Sequence, residues 1–259
     1  MFQARQLGRT GLTVGPLGLS AGYGVPGSAV ERALDAGMNY VYWGSRRRED
    51  FGAALRRLAP RREQMVLAVQ SYARFGRSVV ASVERALRAL EFDYADVLLL
   101  GWWNRRPPAR IIDACRELES RGLVRHVAMS THNRPIIPEL AADPVIDIFH
   151  VRYNAAHRGA ESDVFPRLPA DGGPGLVAFT ATSWRQLLDP RRVPAGERVP
   201  TATDCYRFVL SQQAIHVCMT GPSASEHVDA AIEAARLGPP SVEDIAWMRR
   251  VGDAVHGKT

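Results

Sequence analysis

The chain has 259 residues, 46% of them hydrophobic, which is enough for one large α/β domain with a substantial core. Its formal net charge of +6 is carried almost entirely by arginine, because Lys258 is the single lysine of the sequence. The body of the chain therefore has no amine for a Schiff base or for a phosphate-binding lysine.

Strand-like and helix-like segments alternate along the whole chain. The first strand is predicted at 16–20 and the first helix at 28–36, with Ser28 as its N-cap and Gly37 as its stop signal. The most distinctive stretch is 95–104, where a buried apolar strand ends abruptly in a glycine, two tryptophans and an asparagine. Further strands are predicted at 38–42, 64–71, 124–130, 147–153, 175–181 and 216–220. Further helices are predicted at 49–58, 78–90, 109–120, 136–142, 159–168, 203–212, 225–237 and 242–256.

Eight strand–helix steps in a chain of this length favour a closed parallel barrel over an open doubly wound sheet. The open sheet would need a Gly-x-Gly-x-x-Gly turn after its first strand, and the segment 22–24 lacks the third glycine. The sequence shows no internal repeat and no linker long enough to separate domains. We therefore predict a (β/α)8 TIM barrel that forms a single domain over residues 1–259 and ends in a C-terminal helix.

Composition and spacing also exclude several classes of partner. No run approaches the roughly 18 apolar residues of a membrane helix, and residues 1–6 lack the apolar core of a signal peptide. The three cysteines are odd in number and show no Cys-x-x-Cys spacing, and the histidines show no metal-ligand spacing. The arginines are scattered in pairs, which is typical of solvated helix faces. We expect a cytoplasmic protein with no membrane or nucleic-acid partner, no metal and a small-molecule ligand.

Chemistry in such a barrel takes place at the C-terminal ends of the strands. The side chains predicted there are rich in rings, amides and hydroxyls and poor in carboxylates, so a glycosidase is not indicated. The candidates are Tyr42, Trp43, Gln70, Tyr72, Trp102, Trp103, Asn104, Ser130, Thr131, His132, Asn133, His150, Arg152, Tyr153, Asn154, Phe179, Thr180, Thr182, Thr220 and Gly221.

Several segments resemble, in the same order, those of the aldo-keto reductases. The first of them resembles the short N-terminal hairpin of that family. The resemblance covers nearly the whole chain and implies a barrel that binds a nicotinamide cofactor, usually NADP, and reduces carbonyl groups. The segments are 5–14, 33–40, 51–55, 90–100, 122–130, 151–154 and 220–221.

The chemistry of that family depends on an aspartate, a tyrosine, a lysine and a histidine. The resemblance implies that none is kept, because Tyr42 stands at the aspartate position, Gln70 at the lysine position and Gly101 at the histidine position. The tyrosine position falls in a shortened loop near Gly44 and Ser45. The chain is therefore expected to be a divergent member without the usual tetrad.

The cofactor contacts implied by the resemblance are also incomplete, so NADP(H) is expected with an eroded binding signature. Thr131 replaces an asparagine, His150 replaces a glutamine, and His227 replaces the arginine that would hold a 2′-phosphate. Phe179 keeps the ring that stacks on nicotinamide. The full set of implied cofactor residues is Ser130, Thr131, His150, Phe179, Thr180, Gly221, Ser223 and His227.

Three hypotheses remain open from the sequence. In a divergent reductase, Tyr42 is the proton donor, Gln70 and His150 are further catalytic candidates, and Arg152 or His132 supplies positive charge. In a pseudo-reductase, the barrel binds a cofactor or metabolite without reducing it. The third hypothesis is isomerisation or dehydration in the same pocket. The predicted substrate wall consists of Tyr23, Trp43, Trp102, Trp103 and His132.

Overall fold

The computed structural model describes residues 1–44, 46–169 and 171–257. Within these ranges, eight parallel strands close into a barrel, paired in chain order with the last strand beside the first. An antiparallel hairpin of β1 (Arg5–Gln6) and β2 (Thr13–Val14) precedes the barrel. The barrel strands are β3 (Leu17–Ser20), β4 (Tyr40–Trp43), β5 (Val66–Ser71), β6 (Ala95–Leu100), β7 (Val124–Thr131), β8 (Ile148–Arg152), β9 (Gly175–Phe179) and β10 (Val217–Thr220). The predicted (β/α)8 fold is confirmed.

Helices follow the barrel strands and cover the outside of the barrel, as the alternating pattern predicts. Two of them come after the last strand and complete the described chain. The helices are α1 (Gly27–Asp35), α2 (Glu49–Arg57), α3 (Gly76–Leu90), α4 (Ala109–Ser120), α5 (Ile136–Glu139), α6 (Ala160–Asp163), α7 (Ala202–Leu210), α8 (Ser225–Leu237) and α9 (Val242–His256).

The interior of the barrel is closed at the N-terminal ends of the strands. Leu7 and Val14, from the hairpin region, are fully buried and pack in one cluster with Val66, Ile148 and Val217 from the barrel strands. The side chains of a strand point alternately to its two faces, so every second strand residue enters this inner cluster. The hairpin is therefore an apolar plug, and a ligand can enter only from the opposite end.

The other strand face packs against the helices. Leu67 and Leu98 belong to an outer cluster that also contains Val79 and Val83 of α3. Both faces of the central strands are thus covered, which is why their sequences are apolar runs and not alternating patterns.

Several element boundaries differ from the prediction for local reasons. Ser28 is not an N-cap, because α1 already begins at Gly27 and Pro26 occupies the cap position. The helix predicted at 159–168 is interrupted: α6 ends at Asp163, and a separate 3-10 turn follows around Pro166, which has no backbone N–H to donate. In contrast, Gly37 has the positive φ of +84° that its predicted stop role requires.

All three cysteines are buried and unpaired in disulfides. Burial raises the pKa of Cys115 to about 12, so this thiol stays protonated and unreactive.

Among the described residues, no helix combines the length and apolar character needed to cross a lipid bilayer.

Candidate functional site

A cavity of about 760 Å³ opens at the C-terminal ends of the barrel strands. Residues from all eight barrel strands and from the loops that follow line this central cavity. The structure brings together here the following predicted site residues: Tyr23, Tyr42, Gln70, Trp102, Ser130, His132, His150, Phe179, Thr180, Gly221, Ser223 and His227.

Tyr42 and Gln70 meet on neighbouring strands in the deep part of the cavity. The Tyr42 hydroxyl donates a hydrogen bond to Oε1 of Gln70. A Cβ atom on Gly44 would collide with the Tyr42 phenol, so the glycine makes room for this ring position. A Cβ on Gly101 would lie 2.5 Å from the ring of Tyr72 and 2.8 Å from Nε2 of Gln70. Two glycines therefore create the space that these polar side chains fill.

A cation lies next to this pair. Nη2 of Arg47 donates to the backbone carbonyl of Gln70 at 3.2 Å. Burial, followed by the charge of Arg85, lowers the pKa of Arg47, and Tyr42 acts in the opposite direction. A guanidinium keeps its charge under such shifts, so Arg47 places positive charge near the Tyr42 phenol. Arg47 is not predictable from the sequence alone, because the run of three arginines at 46–48 resembles a solvated surface.

Tyr40 and His150 form a second polar pair, one layer deeper in the barrel. The Tyr40 hydroxyl lies 2.8 Å from Nε2 of His150, and both side chains are buried. Burial lowers the pKa of His150 to about 3 and raises the pKa of Tyr40. Both groups are therefore neutral near neutral pH, and His150 is a hydrogen-bond partner in the core that only edges the cavity.

An aromatic row borders the mouth of the cavity. The ring centroid of His132 lies 5.5 Å from Trp102 and 6.0 Å from Phe179, both in edge-on geometry. Burial, followed by the charge of Arg152, lowers the pKa of His132, so this imidazole does not supply positive charge. Trp102 is 59% exposed, has a left-handed φ of +58°, and donates its backbone N–H to Oγ of Ser130 at 2.8 Å. A strained, left-handed backbone thus directs the indole of Trp102 to the cavity, and the sequence does not predict this conformation.

The prediction that Trp43 forms part of the substrate wall is wrong, and Trp103 does not line the central cavity but a smaller cavity beside it. Trp43 is only 3% exposed and stacks on Phe51 of α2, with 6.1 Å between ring centroids. Trp103 is 6% exposed and lies under the guanidinium of Arg74. Because strand side chains alternate, an inward Tyr42 turns Trp43 outward to the helix layer.

Thr131 and Arg152 also lie away from the described lining of the central cavity. Thr131 is buried, and its hydroxyl donates to Oδ1 of Asn104 at 3.2 Å. It does not face the cavity because the preceding residue of β7, Ser130, does. Arg152 extends over the ring of Trp184, 5.9 Å from its centroid. It is therefore not placed to assist Tyr42.

The loop after β9 contributes residues that the sequence analysis did not single out. Ser183, Trp184 and Arg185 have φ values of +49°, +52° and +70°, an uncommon run of left-handed residues. Arg185 lines the cavity together with Arg46, and no carboxylate is present in the described part of this lining. The cavity therefore carries excess positive charge.

Two further predicted residues shape the rim of the cavity. The ring of Tyr23 lies so close to Gly221 that a Cβ there would approach it to 2.6 Å. Nδ1 of His227 accepts the backbone N–H of Ser223 at 3.2 Å, which leaves one ring nitrogen for a ligand.

The comparisons with known proteins agree with this architecture. The Aldo/keto reductase family model matches residues 28–197. The aldo-keto reductase AKR11C1 from Bacillus halodurans, solved in apo and holo forms, superposes with a TM-score of 0.78 and 22% identity, over 97% of this chain and 96% of that one. An aldo/keto reductase from Klebsiella pneumoniae, solved with NADP and acetate, superposes with a TM-score of 0.76 and 19% identity, over 95% of this chain and 94% of that one. The structural likeness shows a shared fold, and the sequence match shows that this chain belongs to the aldo/keto reductase family.

Proposed function

We propose that this chain is a nicotinamide-dependent carbonyl reductase in which Tyr42 donates the proton to the carbonyl oxygen. The observation that carries the proposal is the contact of the Tyr42 hydroxyl with Gln70 inside the central cavity, beside the cation of Arg47. The family assignment supports the reaction class, and the cavity at the C-terminal ends of the strands supports the location.

We further infer that the usual Asp/Tyr/Lys/His tetrad has been replaced in this divergent site. Tyr42, Gln70 and Gly101 occupy three of the four positions by resemblance, and Gly44 lies near the fourth, whose other candidate, Ser45, is outside the described residues. The phenol of Tyr42 fills the space that a side chain on Gly44 would need. This packing supports the inference that Tyr42, on strand β4, supplies the phenol that the family places near the position of Gly44.

The proton donor needs help, because an ordinary tyrosine has a pKa of about 10. A nearby positive charge favours the phenolate and makes the phenol a better acid. In most of the family a lysine would supply that charge, and here Arg47 is positioned to supply it. In the resting site, Oε1 of Gln70 accepts a hydrogen bond from the Tyr42 hydroxyl. Rotation of the Gln70 amide would instead let Nε2–H donate to Tyr42 Oη, which frees the hydroxyl proton to point toward a substrate oxygen.

The lining of the central cavity fits a nicotinamide dinucleotide, and bound NADPH would supply the hydride. Arg46 and Arg185 suit its phosphates, because no described lining residue is a carboxylate. Phe179 offers a ring for stacking, and Ser130 offers a hydroxyl. We infer that the adenine end is held more weakly, because His227 offers one free ring nitrogen where a guanidinium would offer a fork.

The substrate end of the cavity is aromatic. Tyr23, Tyr72 and Trp102 are large exposed rings there, and His132 stands edge-on between Trp102 and Phe179. Flat apolar surfaces of this kind favour a small aromatic or otherwise planar carbonyl compound.

A second candidate function is binding without reduction. It is favoured by the resting hydrogen bond of Tyr42, whose proton is directed to Gln70 and not into open cavity space. The neutral, core-bonded His150 also offers no acid for non-redox chemistry, so we rank isomerisation or dehydration below both.

Cofactor binding and turnover separate these functions. We expect NADPH to quench tryptophan fluorescence and to raise the melting temperature, because a ligand at about 100 times its Kd adds about 2.7 kcal/mol of stability. We also expect at least one member of an aldehyde and quinone panel to oxidise it. Binding without oxidation of NADPH by any panel member would favour the pseudo-reductase, and absence of binding would contradict the proposal.

A further inference from the structure

A second cavity of about 420 Å³ lies beside the central one, at the same end of the barrel. Trp102 lines both cavities, so one indole borders the two spaces. We call the second space the arginine cavity, because four guanidinium groups from three separate segments line it. They are Arg74 after β5, Arg105 and Arg106 after β6, and Arg110 in the first turn of α4.

The arginine cavity carries excess positive charge. Arg106 is paired with Asp143 at 2.6 Å, but the other three arginines have no carboxylate partner among the residues that the structure describes. Arg105 also makes no hydrogen bond within the described chain, and its side chain is exposed. No acidic side chain lines the cavity in this part of the structure. Three of the four guanidinium charges are therefore not balanced by a carboxylate of the described chain.

Two of the guanidinium groups are held in place before any ligand arrives. Arg74 donates to two backbone carbonyls at the end of β6, at 3.0 and 2.9 Å, and lies 4.3 Å from the ring centroid of Trp103. Nε of Arg110 donates to the backbone carbonyl of Arg74 at 3.3 Å. The indole N–H of Trp103, which is also at this wall, has no acceptor among the described residues. Fixed donors of this kind reduce the ordering cost of binding.

We propose that the arginine cavity binds an oxyanion group, a carboxylate or a phosphate, on a substrate whose carbonyl end lies in the central cavity. Guanidinium forks match the two or three oxygens of such groups. The exposed ring of Trp102, common to both cavities, provides a flat surface for the body of the molecule that joins the two ends. The proposal names a substrate class, anionic planar carbonyl compounds, and in that respect it rests on the proposed reductase function.

The test is a binding experiment without cofactor, read from tryptophan fluorescence. The probes are para-formylbenzoate and the longer formylbiphenyl carboxylate, each compared with its neutral methyl ester. We expect whichever of the two acids binds more tightly to bind at least about tenfold more tightly than its own methyl ester, which corresponds to about 1.4 kcal/mol. Arg105→Gln combined with Arg110→Gln should remove that preference. The matched charge control is Arg48→Gln combined with Arg88→Gln, two exposed arginines on α2's N-terminal boundary and near the end of α3 with no described side-chain partner, and it should retain the preference.

Folding does not complicate the result, because Arg105→Gln alone removes no described contact and should still weaken the preference by about threefold. The proposal would be overturned if, for both probes, the acid and its methyl ester bound with equal affinity. A preference for the acid that survives the double substitution of Arg105 and Arg110 would also overturn it. Inorganic phosphate should compete with the acid and not with the ester. Phosphate that binds through Arg105 without displacing the acid would identify an independent anion site and would also overturn the proposal.

The outcomes separate this inference from the proposed function. An arginine-dependent preference for the acid, in a protein that oxidises no NADPH with any carbonyl, would remove the reductase and leave the oxyanion site standing. Turnover of neutral carbonyls that depends on Tyr42, without any preference for anions, would remove the oxyanion site alone.

Discussion

The two ends of the barrel are built from the same strands and have opposite characters. At the N-terminal end, Leu7 and Val14 close the interior with apolar packing. At the C-terminal end, the lining is made of amides, hydroxyls, rings and arginines around an open cavity. The apolar end therefore stabilises the fold, while the side chains at the opposite end can change without loss of that packing.

Strand β4 shows the same contrast within three residues. Tyr40 and Tyr42 both point into the barrel, but Tyr40 is fully buried against His150 and Tyr42 lies at the cavity beside Gln70. Burial raises the pKa of Tyr40 and makes it inert as an acid. Depth in the barrel, and not residue type, thus separates a structural tyrosine from the candidate proton donor.

The largest expected effect concerns the closed end. Leu7→Ala leaves a void in the inner cluster and should lower the free energy of unfolding by about 2–5 kcal/mol. Trp102→Ala, at the open end, should cost about 1 kcal/mol, because that ring is mostly exposed. Urea unfolding of both variants measures the difference. A loss from Trp102→Ala as large as that from Leu7→Ala would break the contrast between the two ends.

The next largest expected effect is on the pH dependence of the free energy of unfolding. It should distinguish the buried Tyr40–His150 pair from the residues at the cavity. The pKa of His150 falls from its ordinary value to about 3 on folding, so the unfolded chain takes up more protons below about pH 6.5. The stabilising contribution is complete above that pH and is lost as the pH falls, by about 2 kcal/mol between about pH 6.5 and 5. Urea unfolding at stepped pH measures it. His157 and His216, whose pKa values burial lowers to about 4, contribute to the same slope, so His150→Gln should reduce it relative to the wild type and not abolish it. An unchanged slope in His150→Gln would contradict the assignment.

Substitutions of Arg47 test whether its positive charge lowers the pKa of the Tyr42 phenol. Arg47→Gln should lower kcat about tenfold and move the alkaline limb of the pH profile upward, because the phenol loses its neighbouring cation. Arg47→Lys should restore part of the rate. Arg48→Gln, from the same arginine run but exposed and without a described side-chain partner, is the control. Similar losses in Arg47→Gln and Arg48→Gln would assign the effect to general charge.

The smallest effect is expected at the adenine end. His227→Arg adds a guanidinium fork and should improve NADPH affinity about fivefold without changing NADH affinity. Fluorescence titration with the two cofactors measures the ratio. A parallel gain for both cofactors would show that the position does not meet the 2′-phosphate.

The strands and the barrel were predictable because long apolar runs and glycine stops are local signals. Trp43 was predictable in principle, since strict alternation from Tyr42 turns it outward. The role of Arg47 was not, because it depends on the path of the loop that follows β4. The arginine cavity was hidden for a related reason: its members come from three separate segments, and both the pair Arg105-Arg106 and the single arginines Arg74 and Arg110 resemble solvated surface residues.

The proposed function depends above all on Tyr42 as the residue that delivers the proton at the open end. The most direct measurement is kcat for NADPH oxidation with the best carbonyl substrate, in the wild type, Tyr42→Phe and the matched control Tyr94→Phe, which lies outside the cavity between Arg62 and Arg125. We predict a loss of at least about 100-fold in Tyr42→Phe, with the control and the melting temperature of both variants nearly unchanged. Turnover that persists at the wild-type rate in Tyr42→Phe would contradict the account.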